Sequence, residues 1–232
     1  MAATTVLSFD VGIRNLAYCV ARWVPPQPND SSVEPDLIRD TSVLALGLVD
    51  VTAHLDADPH TVKNINKIPL FLLARALLRA LDAHIPNLFD LLNGSLVDYV
   101  VIENQPCLKN PRMKSVQMIL FSYFVHLTLC TPVRVGNVCM FQPRDKLSVY
   151  TGEPVECSLK SKYGRRKRLS VEYARRMLEC HPSILETFES TKKKDDLADA
   201  YLQTLTFIRQ RFFKRPRKRK GPRLVLPMLP QK

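Results

Sequence analysis

The chain has 232 residues and carries 34 Lys and Arg against 22 Asp and Glu, a formal charge of +12 at pH 7 and a pI near 9.6. With 46% apolar and 24% charged residues it has the composition of a folded protein, which excludes an intrinsically disordered chain. Six scattered cysteines form no C-x-x-C pair, so metal-knuckle and redox readings are weak. The charge is unevenly placed: residues 214–232 hold eight bases and no acid, residues 158–176 hold eight bases and one acid, and the remainder nets −3. Two basic patches on a mildly acidic body predict a polyanionic partner, nucleic acid before membrane.

Thr4 to Asp10 is β-branched and apolar, and Asn15 to Trp23 repeats the pattern after Val11-Gly12, which predicts a hairpin. Residues 24–42 are rich in Pro, Asn, Asp and Ser and read as a surface insertion, after which Val43 to Val51 returns as a third strand. Asn66 to Leu92 carries apolar residues at helical spacing, with Pro86 as an expected break. Leu96 to Glu103 is a nearly continuous apolar run that predicts a buried central strand ending on an acid. A helix over Arg112 to Cys130, a strand over Val133 to Phe141, a loop over Pro143 to Ser158, and helices over Leu169 to Cys180 and Asp195 to Phe213 complete the order. The expectation is an α/β fold with a five-stranded mixed sheet flanked by helices, one domain over residues 1–213 followed by a basic tail over 214–232.

The start of the chain has neither a secretory apolar region nor an Arg-rich presequence, so a reducing compartment with free thiols is expected. The apolar stretch from Val116 to Val133 is interrupted by Gln117, Ser122 and His126 and reads as a buried helix, with no membrane partner expected. Its stripe of Met118, Leu120, Phe121, Phe124 and Leu127 reads as core or as a seam between two copies. His126 and His181 lack ligand-type spacing.

Four carboxylates stand at informative places. Asp10 closes the first strand ahead of Gly12, and Glu103 ends the central strand, where a charge is costly unless it is wet, paired or bound to a metal. Asp196 and Asp199 share a helix face at i, i+3, and Asp195 is in phase with Asp199 at i, i+4. If that helix packs beside the strand ends, the acids converge on an all-oxygen pocket suited to Mg²⁺, with Mn²⁺ able to substitute. Two such ions about 4 Å apart support in-line phosphodiester hydrolysis. Taken singly, each acid also has a structural reading; Asp195 and Asp196 suit a helix N-terminus. Lys160, Lys162, Arg165, Arg166, Lys167 and Arg168 lie between the predicted loop and helix, where bases reach phosphates without reading sequence. Asn104-Gln105 suits either a DNA contact or a strand cap, and nothing in the spacing of Tyr123, Tyr163 and Phe141 marks any of them as a platform for an unpaired base.

The segments LSFDVGIRNLAYCV, VVIENQP, KNPRMKSVQMILFSYF, KYGRRKRLSVEYARRML and KKKDDLADAYLQ resemble, in order and over most of residues 5–205, the ribonuclease H-like Holliday junction resolvases of large DNA viruses and fungal mitochondria, relatives of bacterial RuvC. The resemblance implies a ribonuclease H-like fold, a homodimer, and paired Mg²⁺-dependent incisions at four-way DNA junctions that leave ligatable nicks. By motif position it implies Asp10, Glu103, Asp196 and Asp199 as the metal-binding acids, with Asp195 in a supporting role. It also implies a supporting lysine upstream of the last helix, for which Lys167 is the best counterpart. A viral source follows from the same likeness, with branched replication intermediates as the DNA. The compartment is then a host's cytoplasm or nucleus, the basic tail having the composition of an import signal.

Other readings fit less well. A broader endonuclease for flaps, forks and branched DNA uses the same chemistry and is not separable by sequence. An actin-like or sugar-kinase ATPase needs a second domain and more glycine than the seven residues here, and there is no phosphate-binding G-x-x-x-x-G-K-[ST] loop, so no nucleotide cofactor is expected. A non-catalytic DNA-binding module leaves the acidic set unexplained.

Overall fold

Two apolar strands joined by a tight turn begin the chain, β1 (Thr4–Asp10) and β2 (Leu16–Trp23), and β3 (Thr41–Val49) extends the meander. The computed structural model describes residues 2–26, 36–56, 65–108, 110–130, 135–142 and 145–213. Residues 27–35 of the expected 24–42 insertion and all of the 214–232 tail lie outside the described residues. There follow α1 (Leu70–Leu91), β4 (Val97–Glu103), α2 (Pro111–Cys130), β5 (Val135–Phe141), α3 (Lys162–Met177), α4 (Pro182–Ser190) and α5 (Lys194–Ile208), the last continuing as a π-helical turn over Arg209–Phe213. The sheet order is β3-β2-β1-β4-β5. β1, β2 and β3 pair antiparallel, whereas β4 lies parallel to β1 and β5 parallel to β4, which gives the expected mixed five-stranded α/β sheet.

Strand alternation divides the core into two layers. Leu7, Phe9, Leu16, Val20, Val100 and Ile102 face α1 and α2, where Leu73, Leu77, Leu81, Leu120 and Phe124 are fully buried. Each such Leu contributes about 1.5–3 kcal/mol by leaving water. Ala17, Cys19, Ala21, Val43 and Leu46 face α3, α4 and α5 on the other side. Val6 and Val101 on that side meet Phe207 and Ile208 near the end of α5, where Trp23 stacks on Phe212 at 4.4 Å.

Several boundaries differ from expectation, each for a local reason. Pro86 does not break α1: Ile85, Leu88 and Phe89 are buried around it, while Pro86 and Asp82, whose carbonyl loses its donor, both face solvent. α1 begins at Leu70, and Ile65–Lys67 form a separate 3-10 turn. β3 ends at Val49 because Asp50 caps a 3-10 turn over Val51–His54, accepting from the Thr52 amide at 2.8 Å. α3 starts at Lys162, seven residues before the expected Leu169, with Ser161 accepting from the Gly164 amide at 2.9 Å. The bases from Lys162 to Arg168 are therefore helical, and only Lys160 precedes the helix. The expected loop after β5 contains a 3-10 turn over Lys146–Val149, and α4, which was not anticipated, opens with Pro182 at its first position.

α2 is only partly covered. By length and hydropathy it is apolar enough to cross a membrane, with 22% of its most apolar stretch buried. Val116, Gln117, Leu120 and Phe124 face the core, whereas Met118 and Leu129 are exposed, so the expected buried helix has one buried stripe and one open face. Phe121 and Leu127 pack partly buried against the core margin.

Candidate active site

Adjacent parallel strands bring the first two acids together. Phe9 pairs with Ile102, so the next residues, Asp10 and Glu103, sit side by side on the face turned toward α5. Gly12 makes the exit from β1 possible: a Cβ there would stand 2.2 Å from the Asn15 carbonyl oxygen, so only glycine permits this turn. The third acid comes from α5, which Gln203 ties to β1. Its buried side-chain amide donates to Ser8 Oγ at 2.8 Å and to the Phe9 carbonyl at 3.0 Å. One helical turn earlier on the same face, Asp199 reaches Asp10.

A sliver of Asp10 meets solvent, yet protein atoms crowd its carboxyl. This desolvation drives its pKa well above the usual carboxylate range, and Glu103, within hydrogen-bonding reach, and Asp199 push it the same way against Lys146. Lys146 Nζ lies 2.8 Å from Asp199 Oδ2. Burial also raises Asp196, with Asp195 and Asp199 adding to the effect and Lys167 and Lys193 opposing it. Asp195 is desolvated too, but its ion pair with Lys167 outweighs burial and holds it below the ordinary value. The same bond to Asp195 raises Lys167. The structure thus brings Asp10 and Glu103 into hydrogen-bonding reach, places Asp199 near enough to act on Asp10 electrostatically, and sets Asp196 on their flank. Asp195, in the first turn of α5, and Lys167 of α3 form a neighbouring pair.

Glu103 is oriented by residues on the opposite side. Gln105 Nε2 donates to Glu103 Oε2 at 3.2 Å, and the Gln105 amide donates to Gln117 Oε1 at 2.8 Å. Lys114 Nζ donates to Gln117 Oε1 at 3.1 Å and to Asn104 Oδ1 at 2.9 Å, and the Asn104 amide donates to the Phe141 carbonyl at 2.8 Å. Asn104 and Gln105 therefore cap β4 and steady its acid. Sequence reading missed Lys146, Gln203 and this support. The available signals were polar residues inside apolar helices: Gln117 in α2 and Gln203 in α5, both almost wholly buried.

The donor chemistry fits a hard divalent cation: oxygen ligands only, crowded, with one ammonium as counter-charge. Among the described residues no three His, Cys, Asp or Glu side chains have the spacing of a formed metal centre. His126 contacts Cys130 Sγ at 3.5 Å, away from these acids.

The basic residues separate into engaged and free groups. Arg165 folds back on the Leu159 carbonyl, at 3.3 and 3.2 Å from Nε and a terminal nitrogen, and Lys167 is held by Asp195. Lys160, Lys162, Arg166 and Arg168 are exposed and make no ion pair among the described residues. A Gln203→Leu variant is expected to lose about 1–3 kcal/mol in urea unfolding, since Ser8 and Phe9 lose a buried partner. A proportionate fall in any metal-dependent activity should accompany it as Asp199 loses its register.

No family model matches the chain. An uncharacterized protein of Acanthamoeba polyphaga mimivirus is 34% identical over 155 residues, 62% of this chain and 36% of that protein, so the chain spans about a third of the length of this curated relative. A fowlpox virus resolvase, solved in complex with its substrate Holliday junction DNA, resembles the chain with a TM-score of 0.48 at 18% identity, over 89% of this chain and 98% of that one. A likeness this distant transfers no residue roles.

Proposed function

We propose that the protein is a Mg²⁺-dependent endodeoxyribonuclease that resolves four-way DNA junctions by paired incisions as a homodimer. The observation that carries this reading is the approach of Asp10, Glu103 and Asp199 from β1, β4 and α5 beside a helix on which Lys162, Arg166 and Arg168 are exposed and unpaired among the described residues. Acids alone would suit many metal enzymes; bases next to them select a phosphodiester. The ordered motifs from FDVGIRNLA to KKDDLADA add the junction as substrate.

In this reading Asp10, Glu103 and Asp199 hold the cation, Asp196 completes the set from the flank, and Asp195 tethers Lys167. A bound Mg²⁺ would supply the charge that activates water and offsets the leaving oxygen. Gln105 keeps the Glu103 carboxylate aimed at the site, and Gln203 keeps α5 pressed on β1 so that Asp199 faces Asp10. Lys160, Lys162, Arg166 and Arg168 hold the backbone without reading bases, which suits recognition by shape. The 214–232 segment adds salt-sensitive affinity through its eight bases.

Purified protein incubated with a labelled four-way junction, a flap and a linear duplex, with Mg²⁺ or EDTA, tests the proposal. Symmetric paired nicks in the junction alone, absent in EDTA, and a mass in solution twice the 26.5 kDa of the chain are the expected results. Equal cutting of flap and junction at unpaired positions would favour the broader structure-selective nuclease, and no cutting of any DNA would overturn both.

A further inference from the structure

A cavity of about 330 Å³ opens beside the acids, between the Lys146–Val149 turn, α3 and α5. Lys146, Leu147, Tyr163, Arg166, Ser170 and Asp199 contribute to its lining, together with Lys167. Its volume lies at the lower end of the range that takes small ligands, about 300–1,000 Å³. The chemistry of the lining is mixed in a particular way. Tyr163, in the first turn of α3, is 70% exposed although it is a large aromatic residue, and Leu147 supplies an apolar neighbour. Arg166 has a free guanidinium among the described residues, and Asp199 belongs to the acidic set. Lys167 Nζ lies 5.3 Å from the centre of the Tyr163 ring, so a cation already attends that ring.

An aromatic ring, an aliphatic neighbour and an arginine beside a metal-binding carboxylate are complementary to one nucleotide: base, sugar and phosphate. The other two aromatic candidates are occupied elsewhere. Tyr123 donates to Asp82 at 2.9 Å on the α1–α2 side, and Phe141 packs against Phe207 at 5.5 Å. Inside a duplex, a base presents only its edges to a protein, because both its faces are stacked. A tyrosine ring can therefore stack only on a base that has left its neighbours, as in single strands or at the centre of a branch.

We infer that the pocket between α3 and the Lys146–Val149 turn binds one unstacked nucleotide next to the scissile phosphate, with its base on Tyr163 and its phosphate on Arg166. This rests on the reading of the acids as a DNA-cleaving site and names how that site selects branched over linear DNA. Tyr163 is a specificity-determining residue in this account, and duplex is rejected because it offers the ring no free face.

The test is binding without cleavage, in EDTA and separately in Ca²⁺, by fluorescence polarisation with a synthetic four-way junction and a duplex of the same sequence. Tyr163→Ala should weaken junction binding about tenfold, the size of one base-aromatic stack, and leave duplex binding unchanged, whereas Tyr163→Phe should bind as the parent does. An abasic nucleotide moved through the crossover should cost the parent about tenfold at one position and cost Tyr163→Ala nothing there. The abasic scan on the parent chain tests the idea even if Tyr163→Ala folds poorly. Equal loss on junction and duplex, or a parent chain indifferent to every abasic position, overturns the pocket assignment. Because cutting is scored separately, a parent that cleaves with Mg²⁺ but shows no Tyr163 effect leaves the nuclease and removes the pocket. A parent that shows the effect but never cleaves leaves the pocket and removes the nuclease, and one that binds no DNA removes both.

Discussion

Asp10→Asn is expected to reduce junction cleavage at least a hundred- to a thousandfold while leaving junction affinity in EDTA intact. The size follows from what an amide at that position lacks. It is a poorer ligand for a hard cation, and preorganised charge at a reacting phosphodiester is worth roughly that factor for a single group. Affinity should survive because the bases proposed to hold the backbone, Lys160, Lys162, Arg166 and Arg168, lie on or just before α3 and not on β1. The same substitution should stabilise the metal-free protein. Asp10 sits in a desolvated position beside Glu103 and Asp199, and removing one of three crowded carboxylates relieves repulsion that, among the described residues, Lys146 opposes. A gain of about 1 kcal/mol would raise the melting temperature by about 2–4 °C in a chain of this size. The diagnostic result is the combination of lost activity, retained binding and raised melting temperature in EDTA. A variant that cuts at the parental rate removes Asp10 from the chemistry.

The parts of the site that could be read from the sequence are those where hydrophobic pattern and charge meet. Asp10 and Glu103 each end an apolar strand, and a strand that is buried along its length and then stops on an acid marks that acid without further information. Asp196 and Asp199 were visible through helical phase, although their proximity to β1 depends on Gln203, whose contacts with Ser8 and Phe9 span almost the whole chain. The first turns of α3 were not legible, because Lys162 to Arg168 carries no apolar period; its buried residues are Ser170, Ala174 and Met177, further along. α4 is short and buries only Phe188 completely, too little to register as a pattern. The division among the bases was equally hidden. Arg165, Arg166 and Lys167 are consecutive in sequence, yet one folds onto Leu159, one opens into the pocket and one pairs with Asp195.

Lys146→Met should shift the metal-free acidic site and the metal-bound site we propose in opposite directions. Without metal, the Lys146 ammonium is the counter-charge for Asp199 and partly for Asp10. Both members of this pair are substantially shielded, with side-chain exposures of 15% and 27%, so the interaction is screened less than a surface ion pair. Removing one partner leaves the other with an uncompensated, partly buried charge, which costs roughly 1–3 kcal/mol and lowers the melting temperature in EDTA by several degrees. Methionine preserves much of the aliphatic stem, so loss of packing contributes little. In the presence of Mg²⁺ or Mn²⁺ the sign reverses, because a cation entering the site no longer competes with a resident ammonium. The metal-induced rise in melting temperature should exceed that of the parent, and calorimetric titration with Mn²⁺ should give a lower Kd. The two readouts constrain each other through linkage: tighter binding to the folded state must appear as a larger stabilisation at fixed metal concentration. If Lys146→Met melts like the parent in EDTA and binds Mn²⁺ no more tightly, Lys146 is not the counter-ion of the acidic site, and its closeness to Asp199 has no electrostatic consequence.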